Sequence, residues 1–263
     1  MTRQNYYARR QARQRRQVDA GLVAALVVAE RKIQPRLGAR KLHFMFKGTL
    51  AQEGVKLGRD RFFKALGEHG LLLEPKPSEH PCTTNAHHYL PVFGNRIKGL
   101  EVSRPNEVWV GDLTYVRTEK GFLFLSLLTD KSSRKVVGYH CGETLEAGGC
   151  LAALKKALKD LPAGVRPIHH SDRGTQYCSH EYVNWAQAHG LSMSMTETDH
   201  CAENALAERM NGILKSEYGL GGRFKTNASA QLAVEQAVHL YNTRRPHTSL
   251  GYRTPQAVHA LAA

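Results

Sequence analysis

The chain has 263 residues, 41% of them hydrophobic, and a formal net charge of +14 with a pI near 9.7. That length bounds the architecture to one or two domains, with room for a central core of about 120 residues. No apolar run approaches the roughly 18 residues a membrane span needs, and the first residues lack the apolar centre of a secretion signal. The five cysteines are odd in number, irregularly spaced and without a CxxC pair, which argues against a disulfide framework and for a reducing, cytoplasmic setting.

The charge is unevenly spread. Residues 1–100 hold 19 Lys/Arg against 7 Asp/Glu, or +12; residues 101–263 hold 18 against 16, or +2. A basic N-terminal part points to a polyanion, and nucleic acid is the common one. Six arginines (3, 9, 10, 13, 15 and 16) and two tyrosines fall in residues 1–17 without an acid. As an isolated basic arm this stretch would stay unfolded until it met phosphate; a solvated helix face is the plain alternative. Residues 19–33 read as a helix stopped by Pro35. Residues 38–54 form a second helix on Leu42, Met45, Phe46 and Leu50. Residues 58–70 form a third, with Phe62, Phe63 and Leu66 inward and Arg59, Arg61 and Lys64 outward toward DNA. Residues 1–73 are therefore expected to be a basic helical DNA-binding region, helix-turn-helix-like over about 38–73. Five prolines mark 74–106 as a surface linker. Its run HPCTTNAHH lacks a second ligand pair at zinc-finger spacing.

From Val108 the pattern turns to strands. VWVGDLTYV (108–116), FLFLSLLTD (122–130) and KVVGYHCGET (135–144) form an antiparallel meander, with the second, continuously apolar strand central. A helix over 146–160, a strand over 166–171, a helix over 179–189, a strand over 191–195 and a helix over 204–218 follow. The order βββαβαβα is that of an α/β, ribonuclease H-like fold: a mixed five-stranded sheet between helices, here spanning 107–219. Residues 220–263 are expected to add a helix at about 229–243 and a basic tail motif carrying Arg244 and Arg245.

Three acids stand out. Asp112 lies inside the first strand, where a carboxylate is costly without a partner. Asp172 follows the fourth strand, at the end where open α/β sheets place ligands. Glu208 lies on the helix, and helical spacing gathers Asn204, Glu208, Asn211 and Lys215 on one face, so that Lys215 can reach phosphate. Converging carboxylates suit a two-metal phosphoryl-transfer site, in which two Mg²⁺ roughly 3.5–4 Å apart stabilise attacking and leaving oxygens. Magnesium prefers carboxylate oxygen. Glu203 and Glu217 are rival acids on the same helix. A Ser171/His170 hydrolase is disfavoured: there is no GxSxG elbow, and adjacent strand residues point to opposite faces.

Four stretches carry a resemblance: RPNEVWVGDLTYV (104–116), HSDRGTQYCS (170–179), LSMSMTETDHCAENALAERMNGILKSE (191–217) and YNTRRPHTSLGYRTP (241–255). Over about Pro35 to Pro255 the chain resembles the catalytic proteins of the insertion-sequence-three family, which are similar to retroviral integrases. The resemblance implies a DNA transposase with an Asp-Asp-Glu triad on Asp112, Asp172 and Glu208. It implies Mg²⁺ as cofactor, with Mn²⁺ as a possible substitute, and 3′-end cleavage followed by strand transfer. Glu203 stands where the family usually has Asp, and Met210 where it usually has Phe. DNA contacts are expected from Lys215, Asn204, Arg173, Arg244, Arg245, Arg59, Arg61 and Lys64. The resemblance further implies a downstream-frame product working with, or fused to, an upstream-frame terminal-repeat-binding protein. It also implies a homo-oligomer on DNA and a nucleoid-associated location. The competing readings are a non-catalytic DNA-binding regulator and a plain ribonuclease H-like nuclease.

Overall fold

The structure is a computed structural model that describes residues 2–74, 89–197 and 203–261. The Cys82 and His cluster of the linker lies outside the described residues. The chain forms two compact units, residues 1–77 and 78–263.

The first unit holds α1 (Arg3–Arg31), α2 (Ala39–Gln52) and α3 (Arg59–Glu68). Val23, Val27, Leu37, Leu42, Leu50, Phe62 and Leu66 make its core. Of the two readings of the basic arm, the helix face is the one seen: the arm is the first half of α1. Thr2 caps it by accepting from the Asn5 amide, and every residue from Arg3 to Val18 is exposed. Packing of Ala20, Val23 and Val27 fixes the C-terminal half, so the costly nucleus already exists. Extension through Arg, Gln and Ala, all good helix formers, then adds a backbone hydrogen bond per residue.

The second unit is built on a sheet ordered β3-β2-β1-β4-β5, with a short β6 beside β1. The strands are β1 (Val108–Thr118), β2 (Gly121–Asp130), β3 (Val136–Gly142), β4 (Ile168–Ser171), β5 (Ser192–Met195) and β6 (Arg223–Phe224). β1 to β3 form the antiparallel meander. β4 runs parallel to β1 through residues 108–110, and β5 parallel to β4. On one face lie α4 (Ala147–Lys159), α5 (Thr175–Cys178) and α6 (His180–Ala188), packed on Trp109, Leu128, Met193 and Met195. Gly138 lets α4 come close, because a Cβ there would collide with the Ala153 carbonyl oxygen. On the other face lie α7 (Ala205–Glu217) and α8 (Asn227–Thr243), packed on Val116, Leu123, Leu125 and Leu127.

The described part of the linker is mostly exposed or half-buried and is fastened to the second unit along its length. Leu90 and Phe93 pack on one core cluster and Ile97 and Val102 on another. The Arg96 amide donates to Ser194 Oγ at 2.9 Å. Residues 220–263 likewise fold as part of the second unit. Ala230, Val234, Ala237, Val238 and Tyr241 of α8 complete the core under the sheet. Asn242 bridges both backbone groups of Val136, at 2.9 and 3.0 Å. A last helix, α9 (Pro255–Ala260), ends in a clip: His259 Nδ1 lies 2.9 Å from Ser133 Oγ, which donates to Asp130 Oδ1 at 2.7 Å. Cys141, Cys150 and Cys178 are free thiols.

Candidate active site

The site forms where β1 and β4 lie side by side and α7 crosses them. Asp112 sits on the α7 side of β1, half-buried. Burial is the main cause that pushes its carboxyl up to about 7; the Asp172 carboxylate adds to the rise, and Glu208 adds less. The Leu113 backbone and Asn211 oppose the rise. Asn211 Nδ2 donates to Asp112 Oδ2 at 2.6 Å. Three acids thus share one field, with Asp112 at its centre. A buried carboxylate beside like charges is stable only with a proton or a cation.

Asp172 follows β4 in a tight turn. Its Oδ1 accepts the Gly174 amide at 3.0 Å, and a Cβ on Gly174 would press on that oxygen. Glu208 lies in the first turn of α7. Its carboxylate is exposed and takes no hydrogen bond from the described residues. α7 is fixed to β1 by two asparagines: Asn211 on Asp112, and Asn204, whose Nδ2 donates to the Gly111 carbonyl at 3.1 Å. Among the described residues no three His, Cys, Asp or Glu side chains are drawn up as a ready ligand set. The acids converge in field without a finished coordination shell. Hard carboxylate oxygens on neighbouring elements nonetheless fit a hard divalent cation.

The rival acids are both occupied elsewhere. Glu203 Oε2 accepts from the Glu197 amide (2.5 Å) and from Asn95 Nδ2 (3.1 Å), fastening the linker to the start of α7. Glu217 receives Arg245 through two bonds, at 2.7 and 2.8 Å. Ser171 and His170 do not pair: Ser171 Oγ donates to the Asp172 carbonyl, and His170 Nδ1 bonds Ser194 Oγ at 2.9 Å. Below β1, His169 and Tyr182 bond at 2.9 Å, and burial pushes His169 down to about 4, so it stays neutral.

Three residues expected to contact DNA make hydrogen bonds within the protein. Arg245 is 2% exposed and held by Glu217. Asn204 is 2% exposed and bonded to β1. Arg173 Nε donates to the Thr196 carbonyl at 2.6 Å, tying the Asp172 turn to the end of β5. Buried backbone and carboxylate acceptors are the stronger demand on these donors. Arg244, Arg59, Arg61 and Lys64 are exposed; Arg59 pairs with Asp60 at 3.0 Å and Lys64 with Glu68 at 3.9 Å. Lys215 is half-buried, with Nζ over the Tyr115 ring at 4.2 Å. Asn211, left out of the expected site residues, is the nearest neighbour of Asp112; its position three residues after Glu208 was the available signal.

Comparison with known proteins adds relatives and a fold match. The family described as "Integrase core domain" matches residues 102–201 and again, by a second such description, residues 189–255. The chain is 34% identical to the insertion element IS600 uncharacterized 31 kDa protein of Shigella sonnei, over 100% of this chain and 98% of that protein. It is 30% identical to the transposase InsF for insertion sequence IS3A of Escherichia coli K12, over 92% of this chain and 82% of that protein. Among solved structures, the simian T-cell lymphotropic virus intasome in complex with PP2A regulatory subunit B56 gamma matches at a TM-score of 0.51 and 20% identity. That match covers 83% of this chain and 73% of the other, and it supports the integrase-type, ribonuclease H-like fold.

Proposed function

The chain belongs to the IS3-type insertion-sequence transposases with an integrase core, and on that premise we propose that it cleaves element ends and joins them to target DNA at the Asp112, Asp172 and Glu208 site. The observation that supports this reading is that Asp112 stands on β1, Asp172 follows the neighbouring β4, and Glu208 stands on α7, whose Asn211 donates to Asp112. Asp112, Asp172 and Glu208 would hold divalent cations, Mg²⁺ with Mn²⁺ as substitute. Such ions supply neutralisation of charge on the attacking and leaving oxygens.

The chain's own groups set up the rest. Asn211 fixes one oxygen of Asp112, and Asn204 and Asn211 together keep α7, with Glu208, against β1. The Gly174 amide and the Arg173 tie hold the Asp172 turn. In the first reaction water attacks the phosphorus at the element end and the 3′ oxygen leaves, taking up a proton. In the second that 3′ hydroxyl attacks a target phosphodiester, loses its proton, and displaces the target 3′ oxygen. Neither step needs a covalent protein intermediate. Lys215 is placed to meet a phosphate beside Asp112. Arg59, Arg61 and Lys64 of the first unit, and Arg244 of the second, are proposed to contact DNA as well. The protein is proposed to act as an oligomer that holds two ends, with an upstream-frame end-binding protein or fusion, at the nucleoid.

The test is joining of element-end DNA to a target in Mg²⁺, with and without the upstream-frame protein. Wild type should join. Asp112→Asn, Asp172→Asn and Glu208→Gln should bind ends without joining. Loss of joining in Glu203→Gln with survival in Glu208→Gln would overturn the site; cleavage without joining would favour a plain nuclease.

A further inference from the structure

Beyond the acids, β1 carries a second polar surface. β4 pairs with β1 through residues 108–110 and β6 through 117–118. At the β6 end, pairing aligns three side chains in one row across three strands: Phe122 opposite Arg117, and Arg117 opposite Arg223. Cross-strand partners share a face, and Tyr115, two residues from Arg117, shares it too. The alternate residues Val116 and Thr118 are buried. The row itself faces solvent, with Phe122 55% exposed and both arginines exposed.

The row is charged and aromatic in a way that folding alone does not favour. Two arginines directly opposite in a ladder repel, and an exposed Phe leaves apolar surface in water. Phe122 meets the Tyr115 ring edge to face at 5.4 Å, and the Arg117 guanidinium lies 5.9 Å from that ring. A cleft of about 370 Å³ opens here, bounded by Arg117, Phe122 and Arg223. Its far wall is Gly221 and Gly222, which bring bare backbone to the surface. Lys215, whose Nζ lies over the Tyr115 ring, is near enough to both the row and the acid site to feel Arg117 and Asp112.

We propose that this cleft is a subsite for an unpaired nucleotide of the DNA strand entering the acid site, with its base on Phe122 and its phosphate between Arg117 and Arg223. An aromatic face can stack only on a base whose own face is free, so the row selects single-stranded DNA over duplex. Arg117 and Arg223, in register on neighbouring strands, offer guanidinium groups whose fork geometry matches phosphate. This subsite rests on the reading of the acid site as one that processes DNA strands.

The experiment measures metal-free binding of the full chain to element-end duplex carrying a single-stranded overhang and to the same duplex made blunt. Phe122→Ala and Arg223→Ala should each weaken overhang binding about 5- to 100-fold. Blunt binding should hold within about twofold, and Phe122→Trp should restore the preference, as sequence-tolerant stacking requires. Unchanged overhang binding in Phe122→Ala, or equal loss on both DNAs, would overturn the subsite. Joining assays on the same samples separate the two ideas. Joining by wild type with no overhang effect in Phe122→Ala sinks the subsite alone. An overhang effect with no joining sinks the chemistry and leaves the subsite standing.

Discussion

The acid corner and the tail motif of residues 241–252 look alike in sequence: both are polar, charged and set among turns. In three dimensions they differ in charge balance. At the acid corner the charges of Asp172 and Glu208 both raise the Asp112 carboxyl, with Asn211 giving Asp112 a hydrogen bond but no charge. In the tail, Arg245 and Glu217 neutralise each other with two short bonds, beside Tyr241, whose ring centroid is 5.5 Å from the guanidinium. A carboxylate raised by like charge is a place that favours a proton or a cation; a bidentate ion pair marks a fastening.

The sharpest way to break that contrast is at the acids. Each of Asp112→Asn, Asp172→Asn and Glu208→Gln should lower joining at least ~10³-fold, by analogy with loss of a group that stabilises transition-state charge. Asp112→Asn should at the same time raise the melting temperature measured in chelator. The sign follows from the raised carboxyl. With a folded value near 7 against roughly 4 unfolded, the folded chain holds the proton more firmly, so stability falls as pH rises from about 4 to about 7 and is flat above. Urea midpoints across that range should slope for wild type and flatten for Asp112→Asn; parallel curves would remove Asp112 from the centre of the field.

Breaking the fastening should act on stability instead. Arg245→Ala leaves Glu217 without its partner and should destabilise by roughly 3 kcal/mol, read from denaturant midpoints. The double variant Arg245→Met, Glu217→Leu should recover most of that loss. If Arg245→Ala kept its stability and lost DNA binding, the tail would be an interface after all. A smaller effect is expected at Asn204→Ala, about 1–2 kcal/mol, since the Gly111 carbonyl loses its donor. Smallest is Glu203→Gln, which should keep joining within severalfold and lose about 1 kcal/mol as the charge-assisted bonds from Glu197 and Asn95 weaken.

The strands were readable because their signals are local. β2 is continuously apolar from Leu123 to Leu128 but for Ser126, and it lies between β1 and β3. Asp112 was readable because an acid amid Val108, Val110 and Tyr115 breaks the strand pattern. What escaped depends on partners far along the chain. Nothing near Arg245 announces Glu217, 28 residues earlier. The hold of Glu203 on Asn95 spans 108 residues. β6 is two residues long, too short to leave a period, and its importance lies in the register that sets Arg223 against Arg117. The basic arm was legible only as two alternatives: its composition fits either a disordered tail or a helix face, and the packed turns that follow it decide for the helix.

The position of α8 sets the smallest portion of the second unit that can stand as a soluble reagent. A fragment cut at residue 219, the end of the ribonuclease H-like span expected from sequence, would strip Ala230, Val234 and Tyr241 from Val116, Leu123, Leu125 and Leu127. It would also release Glu217 from Arg245 and Ser133 from His259. The bared strip of branched side chains would invite self-association. Fragments made for crystallisation or labelling should therefore run through α9, and a tag is better tolerated beyond Ala260 than anywhere between α7 and α8.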